Sequence, residues 1–229
     1  MNIKQFVAII EARSNSSRLP GKHLLKVLDK TIIEFMLDRV KNSKYLDDII
    51  VATTTNKIDD ELVDILKRNN IKFFRGSEND VLKRVLDAAE YYNVENIVEI
   101  PGDCPLIDPF YIDLYIDQFK KINVDYLSSH LSKTFPSGFE VQIFPKKILK
   151  DVSLRTNCPN DREHVTLYIY NNPQIYKIYS AKYPFKKKNS NIKLTLDTEK
   201  DYRVIVNIIE NIYPKNKFFG LNEILKFLS

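Results

Sequence analysis

Apolar residues recur along this chain in two rhythms. Short runs, Phe6-Val7-Ala8-Ile9-Ile10, Ile49-Ile50-Val51-Ala52, Ile71-Lys72-Phe73-Phe74 and Ile97-Val98-Glu99-Ile100, have the length and β-branched content of strands. The unbroken ones suit strands buried on both faces of a parallel sheet. Between them, helical spacing places Ile32, Ile33, Phe35, Met36, Leu37 and Val40 on a helix capped by Thr31. Further helices are predicted from about 58 to 68, up to Tyr92, and over Ile112, Leu114, Tyr115, Ile116 and Phe119 behind an Asp108 cap. Strand and helix alternate as far as Lys121, which predicts an α/β fold with right-handed crossovers and a doubly wound, mostly parallel sheet.

Beyond Lys121 the rhythm changes. Tyr126-Leu127-Ser128-Ser129, Val141-Gln142-Ile143-Phe144 and residues 175–180 read as strands, with a helix over 162–170. An antiparallel flap over about 126–180, inserted beside the sheet, is the expectation. Ile192-Lys193-Leu194-Thr195-Leu196 reads as a last strand, followed by helices carrying Tyr202, Val204, Ile205, Ile208 and Ile209, and then 221–228. No linker or internal repeat divides the chain, so residues 1–229 are expected to form one domain.

The chemistry concentrates behind the first strand. Glu11-Ala12-Arg13-Ser14-Asn15-Ser16-Ser17-Arg18-Leu19-Pro20-Gly21-Lys22-His23 sets three cations among small residues whose N–H groups can turn toward a ligand. A nucleoside triphosphate carries about four negative charges, and each close ion pair at a protein edge is worth roughly 4 kcal/mol, so such a loop suits a polyphosphate. A solvated loop is the plain alternative. Two later strand ends add oxygen donors: Thr53-Thr54-Thr55-Asn56, and Asp103 on the stiff turn Pro101-Gly102-Asp103-Cys104-Pro105. Ligands of open α/β sheets bind at those ends, and a carboxylate in so fixed a place suits a hard cation such as Mg²⁺. Asp197, before Thr198 and Glu199, reads on its own as a helix cap. Ser77 or Asn79 reads as the cap of the third helix.

Composition narrows the class. The chain has 229 residues, 35 Lys and Arg against 30 Asp and Glu, a net charge of +5, and two Cys and three His without metal-ligand spacing. Lys186-Lys187-Lys188 is a short basic run best read as a solvated turn, so no nucleic-acid partner is expected. Neither a signal-peptide core nor a stretch of about 20 apolar residues is present, so no membrane association and a cytoplasmic setting are expected.

The run Ala12 to Lys22 resembles the N-terminal fingerprint of the sugar-activating cytidylyltransferases, the acylneuraminate and 3-deoxy-manno-octulosonate (KDO) group, and most of all their SpsF-type relatives. The segment 133–144, with Pro136, Gly138 and Glu140, and Arg162-Glu163-His164-Val165-Thr166 are similar to that subgroup too, although Ser137 and Glu140 depart from its pattern. The resemblance implies a Rossmann-like nucleotide-diphospho-sugar transferase architecture. It implies a nucleotide site of Ala12, Arg13, Ser16, Arg18, Lys22, Thr53, Arg75, Gly76, Ser77 and Asp103, with Arg13, Arg18, Lys22 and Asp103 catalytic. Glu140, Arg162 and His164 would bind the acceptor, and Asp103 and Asp197 would hold Mg²⁺. Arg162 and His164 also have ordinary structural readings. CTP or another nucleoside triphosphate, an anionic sugar and a homodimer paired through the flap are the implied partners.

The implied reaction is transfer of a nucleotidyl group with release of pyrophosphate, which asks for positioning and charge more than for a protein nucleophile. A glycosyltransferase of similar fold is the main alternative, and it usually binds metal through Asp-x-Asp, which this sequence lacks. Gly21 stands alone in its turn, which excludes a Gly-x-Gly-x-x-Gly dehydrogenase, and Ser16 occupies the first Gly position of a Walker loop.

Overall fold

The computed structural model describes residues 4–132, 134, 136–182 and 192–229. The basic run 186–188 lies outside the described residues. Strand β1 (Lys4–Glu11) carries the first apolar run and pairs in parallel on both sides. After the polar loop comes a two-residue-per-arm hairpin, β2 (Lys26–Val27) and β3 (Lys30–Thr31). Helix α1 (Ile32–Val40) starts as expected at Thr31, whose hydroxyl accepts from Glu34 N while the Glu34 carboxylate accepts from Thr31 N.

Then follow β4 (Asp48–Thr54), α2 (Asp60–Arg68), β5 (Lys72–Gly76), α3 (Val81–Tyr91), β6 (Val94–Pro101) and α4 (Pro109–Lys121). One Asp108 oxygen caps α4 through Phe110 N at 2.9 Å; the other accepts from Leu221 N at 2.9 Å and so ties the chain's end to its middle. The cap of α3 is neither Ser77 nor Asn79. Asp80 accepts from Lys83 N at 2.9 Å, and the Ser77 hydroxyl accepts from Asp80 N at 3.2 Å, tightening the turn before it.

The second half contains β7 (Tyr126–Ser128), β8 (Gln142–Pro145), α5 (Lys146–Arg155), α6 (Pro159–Glu163), α7 (Leu167–Asn171), β9 (Ile178–Ser180), α8 (Glu199–Ile212) and α9 (Leu221–Leu228). Three differences from expectation are local. The helix over 162–170 is broken at Val165, whose φ of 31° no α-helix accepts. Among the described residues the segment 192–196 makes a single bridge, Ser137 to Lys193, beside which Gly138 (φ +102°) lies so close to Leu194 that a Cβ would be 2.7 Å from its carbonyl. Asp197 does not cap α8; Thr198 and Asp201 form that cap reciprocally, which leaves Asp197 for other partners.

The seven-stranded sheet has the order β5-β4-β1-β6-β8-β7-β9. The pairs β4–β5, β1–β4, β1–β6 and β7–β9 are parallel, and β8 runs antiparallel to β6 and β7. The expected antiparallel flap lies beside the parallel strands and is joined to them through the β6–β8 pairing. Both faces are covered: Ala8, Ile10, Val51, Val98 and Ile100 pack under α1, α4, α8 and α9, while Val7, Ile9, Ile50, Ala52 and Ile97 pack under α3 and α5. That double burial is why the first strand reads as an unbroken apolar run.

Arg39, at the end of α1, is the one guanidinium in this packing that holds three carbonyls together. It donates to Ile107 O (2.9 Å), Leu106 O (3.2 Å) and Phe219 O (2.9 Å) and lies 4.4 Å over the Phe219 ring. Burial pulls its pKa down to about 10, which still leaves it charged at neutral pH. Arg39→Met keeps the aliphatic contact and orphans three acceptors, so it should cost about 3 kcal/mol in urea unfolding. An unchanged midpoint would show that these carbonyls find other donors.

Candidate active site

The loop after β1 has a fixed shape before any ligand arrives. Ser14 O accepts from Gly21 N at 2.8 Å and from Ser16 N at 3.0 Å, folding the loop back on itself, and Gly21 takes φ +67°, where a Cβ would be strained. Asp59, 1 % exposed, anchors it: one oxygen accepts from Ser14 N at 2.6 Å, the other from the Thr54 hydroxyl and N–H. Burial pushes the Asp59 carboxyl up, but the hydrogen bonds from Thr54 and Ser14 outweigh it and hold the pKa below the usual value. Among the described residues the N–H groups of Asn15, Ser17 and Arg18 find no protein acceptor, leaving donors for an anion.

Two carboxylates close the opposite side. Lys22 Nζ donates to Leu196 O at 2.8 Å and lies 3.8 Å from Asp197 Oδ1 and 3.9 Å from Asp103 Oδ2. Arg18 Nη2 meets Asp197 Oδ1 at 2.7 Å, and Lys193 Nζ meets Asp197 Oδ2 at 3.1 Å. The stretches are also joined in the backbone, since Leu196 N donates to Asp103 O at 2.8 Å. Gly102 is needed beside Asp103 because a Cβ there would sit 2.2 Å from Glu11 O. The Asp103 pKa is raised, first by burial, with Lys22 opposing and the Asp197 charge adding to the shift. The Cys104 thiol lies 3.5 Å from Asp103 and 3.7 Å from Glu140, and burial raises the Glu140 carboxyl although Gly138 N donates to it at 2.6 Å.

A cavity of about 590 Å³ opens over these groups. Of the residues singled out by sequence, Ala12, Arg13, Ser16, Arg18 and Lys22 line it from the loop, and Asp103, Glu140, His164 and Asp197 line it from later segments. The others lie behind the wall. Thr53 is fully buried; Arg75 donates to Thr54 O and Asn56 O at 2.8 Å each and pairs with Asp60 at 2.7 Å. Gly76 lies against the Arg84 side chain, and Ser77 belongs to the turn before α3. Arg162 is held by Asp80 at 2.6 and 3.0 Å and by Ser153 O at 3.2 Å, so it fastens α6 to α3. Arg13 reaches the cavity but is already engaged, 3.2 Å from Glu78 O and 3.8 Å from Glu163.

Sequence reasoning missed Glu11, Arg84 and Glu99 as cavity residues. A signal existed in Glu99, a lone acid inside an apolar strand. Burial raises both carboxyls, Glu11 to about 7 and Glu99 well above the usual range, with the Glu11 charge adding to the Glu99 shift. Beneath the loop His23 is buried and held neutral, its pKa pulled down to about 3 by burial and by Lys22.

A basic loop at the end of a central parallel strand, facing carboxylates from two other segments, has the arrangement of a nucleotidyltransferase-type α/β enzyme. Residues 7–224 match the family model described as cytidylyltransferase, and the chain belongs to that family. It is 39% identical over 224 residues, 98% of its own length and 90% of the relative's, to an uncharacterized protein of Methanocaldococcus jannaschii. It is 32% identical over 203 residues to the spore coat polysaccharide biosynthesis protein SpsF of Bacillus subtilis, covering 86% of this chain and 83% of that one. Among solved structures, a cytidylyltransferase from Leptospira borgpetersenii serovar Hardjo-bovis superposes with a TM-score of 0.92 at 34% identity, covering 99% of this chain and 94% of the other. Among the described residues no helix is long and apolar enough to cross a membrane.

The raised pKa values at Glu11 and Glu99 have a signed consequence. A carboxyl whose folded pKa exceeds its unfolded one stabilises the fold relatively at low pH, and that contribution is lost as pH rises through the folded value, here between about 4.5 and about 7 for Glu11. Glu99→Gln removes one acid from the pair, so its Tm gain over the parent should be larger at pH 8 than at pH 5, by on the order of 5 °C. Equal gains at both pH values would mean that the pair is not strained by charge.

Proposed function

We propose that the protein transfers CMP from CTP to a sugar or sugar acid, releasing pyrophosphate and supplying an activated sugar for surface polysaccharide or glycan synthesis. The observation that carries this reading is Lys22, set between Asp103 and Asp197 with Arg18 on the second of them. Membership of the cytidylyltransferase family supports CTP as donor, and the likeness to SpsF supports a polysaccharide setting. Asp103 and Asp197 have the chemistry that Mg²⁺ takes: two hard oxygen donors close enough for one to raise the pKa of the other, with water and phosphate oxygens left to complete the shell. They would hold the ion, which when bound would act as a Lewis acid toward phosphate oxygens.

The chain's own residues account for the rest. An acceptor oxygen, already anionic in a sugar phosphate or a hydroxyl that gives its proton to water in a sugar acid, attacks the α-phosphorus of CTP in line; the new P–O bond forms as the bond to the β-phosphate oxygen breaks, and pyrophosphate departs. Arg18, Lys22 and the free N–H groups of the loop face the departing group and stabilise charge that grows there. Anionic character in the acceptor, whether a phosphate or a sugar acid, fits attack beside these cations. Arg13, held between Glu78 and Glu163, steadies the loop against α6. In the same reading the 126–180 segment supplies the acceptor side, through Glu140 and His164.

The test is pyrophosphate release by purified protein with CTP, UTP, GTP and ATP, Mg²⁺ and a panel of KDO, nonulosonic acids and sugar phosphates. CTP should be preferred, and Lys22→Ala and Asp103→Asn should each lower turnover about 10²-fold or more. Near-parental rates from both variants would remove the mechanism. Free nucleoside diphosphate as the product, in place of pyrophosphate, would make the protein a glycosyltransferase instead.

A further inference from the structure

Away from Lys22, the cavity wall holds a second polar group. The register sets Glu99 opposite Ile9 on β1 and opposite Gln142 on β8, so Glu11, two residues beyond Ile9, lies on the same sheet face as Glu99. Arg84 comes down onto that face from α3 and interacts with Glu11. All three line the cavity. Glu99 is 5 % exposed and Arg84 2 % exposed; the Glu11 and Glu99 carboxyls hydrogen-bond each other through one shared proton, yet Glu11 Oε1, Glu99 Oε2 and Arg84 Nε find no other hydrogen-bond partner among the described residues. Buried polar atoms are nearly always partnered, so three on one cavity wall mark a place where a ligand supplies the partners.

We propose that Glu11, Glu99 and Arg84 form a recognition subsite for an uncharged edge of the substrate, one that gives hydrogen-bond donors to the two carboxyl groups and an acceptor to Arg84 Nε. Charged ligands fit badly. A phosphate would meet two acids, and an ammonium would lie beside the Arg84 charge and leave Nε unpaired. Gln142, opposite Glu99, has its oxygen taken by Thr166 at 2.8 Å and by the Tyr126 hydroxyl, and its amide nitrogen makes no hydrogen bond to Glu99 Oε2. Two parts of the substrates have the required chemistry: the aminopyrimidine edge of the nucleotide and vicinal hydroxyls of the sugar. The inference deepens the proposed transfer and rests on it for the identity of those groups.

Calorimetry on Glu11→Gln and Glu99→Gln tests it, with CTP, UTP and inorganic triphosphate as probes and no acceptor. Both variants are close to isosteric, and triphosphate affinity within twofold of the parent checks that the loop is intact. If the edge is the base, CTP binding weakens at least tenfold while triphosphate binding holds. If it is the sugar, CTP affinity is unchanged and the affinity of CTP-saturated protein for KDO, read by saturation-transfer NMR, falls at least tenfold. CTP affinity within twofold of the parent, together with KDO affinity that is unchanged or too weak to measure in the parent, overturns the proposal. CTP binding without pyrophosphate release would remove the transfer reading alone and leave the nucleotide measurements to decide the subsite.

Discussion

Two carboxylates buried side by side repel, and the arrangement of this cavity depends on what offsets that repulsion. Lys22 stands 3.9 Å from Asp103 and 3.8 Å from Asp197, and at the polarity of a protein edge each such pair is worth roughly 4 kcal/mol. The residues come from positions 22, 103 and 197, so the contact closes only when the first strand, the β6 turn and the segment before α8 are all in place.

The surrounding chain is shaped to serve that contact. Asp59 fixes the loop from the β4 side, and Gly102 lets the β6 turn come against Glu11 O. Leu196 contributes backbone in both directions, its N–H to Asp103 and its carbonyl to Lys22. None of these supports is a charged group facing the cavity. They set where the charged groups point, which is the larger part of any electrostatic effect on a reacting phosphate.

Periodicity made most of the sheet and its helices legible, because strands buried on both faces and amphipathic helices carry their burial in the sequence. It failed where the burial signal is short or interrupted. Helix α5 buries only Ile148, Leu149 and Val152 in ten residues, and the apolar spacing over 162–170 runs straight through the break at Val165. At the site, Arg18, Lys22 and Asp103 could be picked out because each follows a strand or turn with a recognisable sequence, whereas Asp197 reads on its own as a helix cap and only the resemblance to the cytidylyltransferases points to it. Thr53, Arg75, Gly76 and Ser77 sit at strand ends as expected, but Thr53 is buried, Arg75 is turned away by its bonds to Thr54 O and Asn56 O, Gly76 lies against Arg84, and Ser77 closes the turn before α3. Glu11, Glu99 and Arg84 come from three elements, and only the pairing register of β1 with β6 and the pitch of α3 bring them together.

The distribution of charge in the cavity sets a further constraint. Its lining includes Arg13, Arg18 and Lys22 from the loop and Arg84 from α3 on the basic side but Glu11, Glu99, Asp103, Glu140, Glu163 and Asp197 on the acidic side, so most of the positive charge lies on the loop. Even there Arg18 and Lys22 are engaged by Asp197 and Asp103. A triphosphate entering alone would have to draw both cations from their carboxylate partners. A divalent cation on Asp103 and Asp197 would release the two side chains toward the phosphates while removing the repulsion between the acids. Under the proposed reaction, ion and nucleotide therefore favour each other's binding by the same free energy, a linkage that follows from sharing one pair of carboxylates.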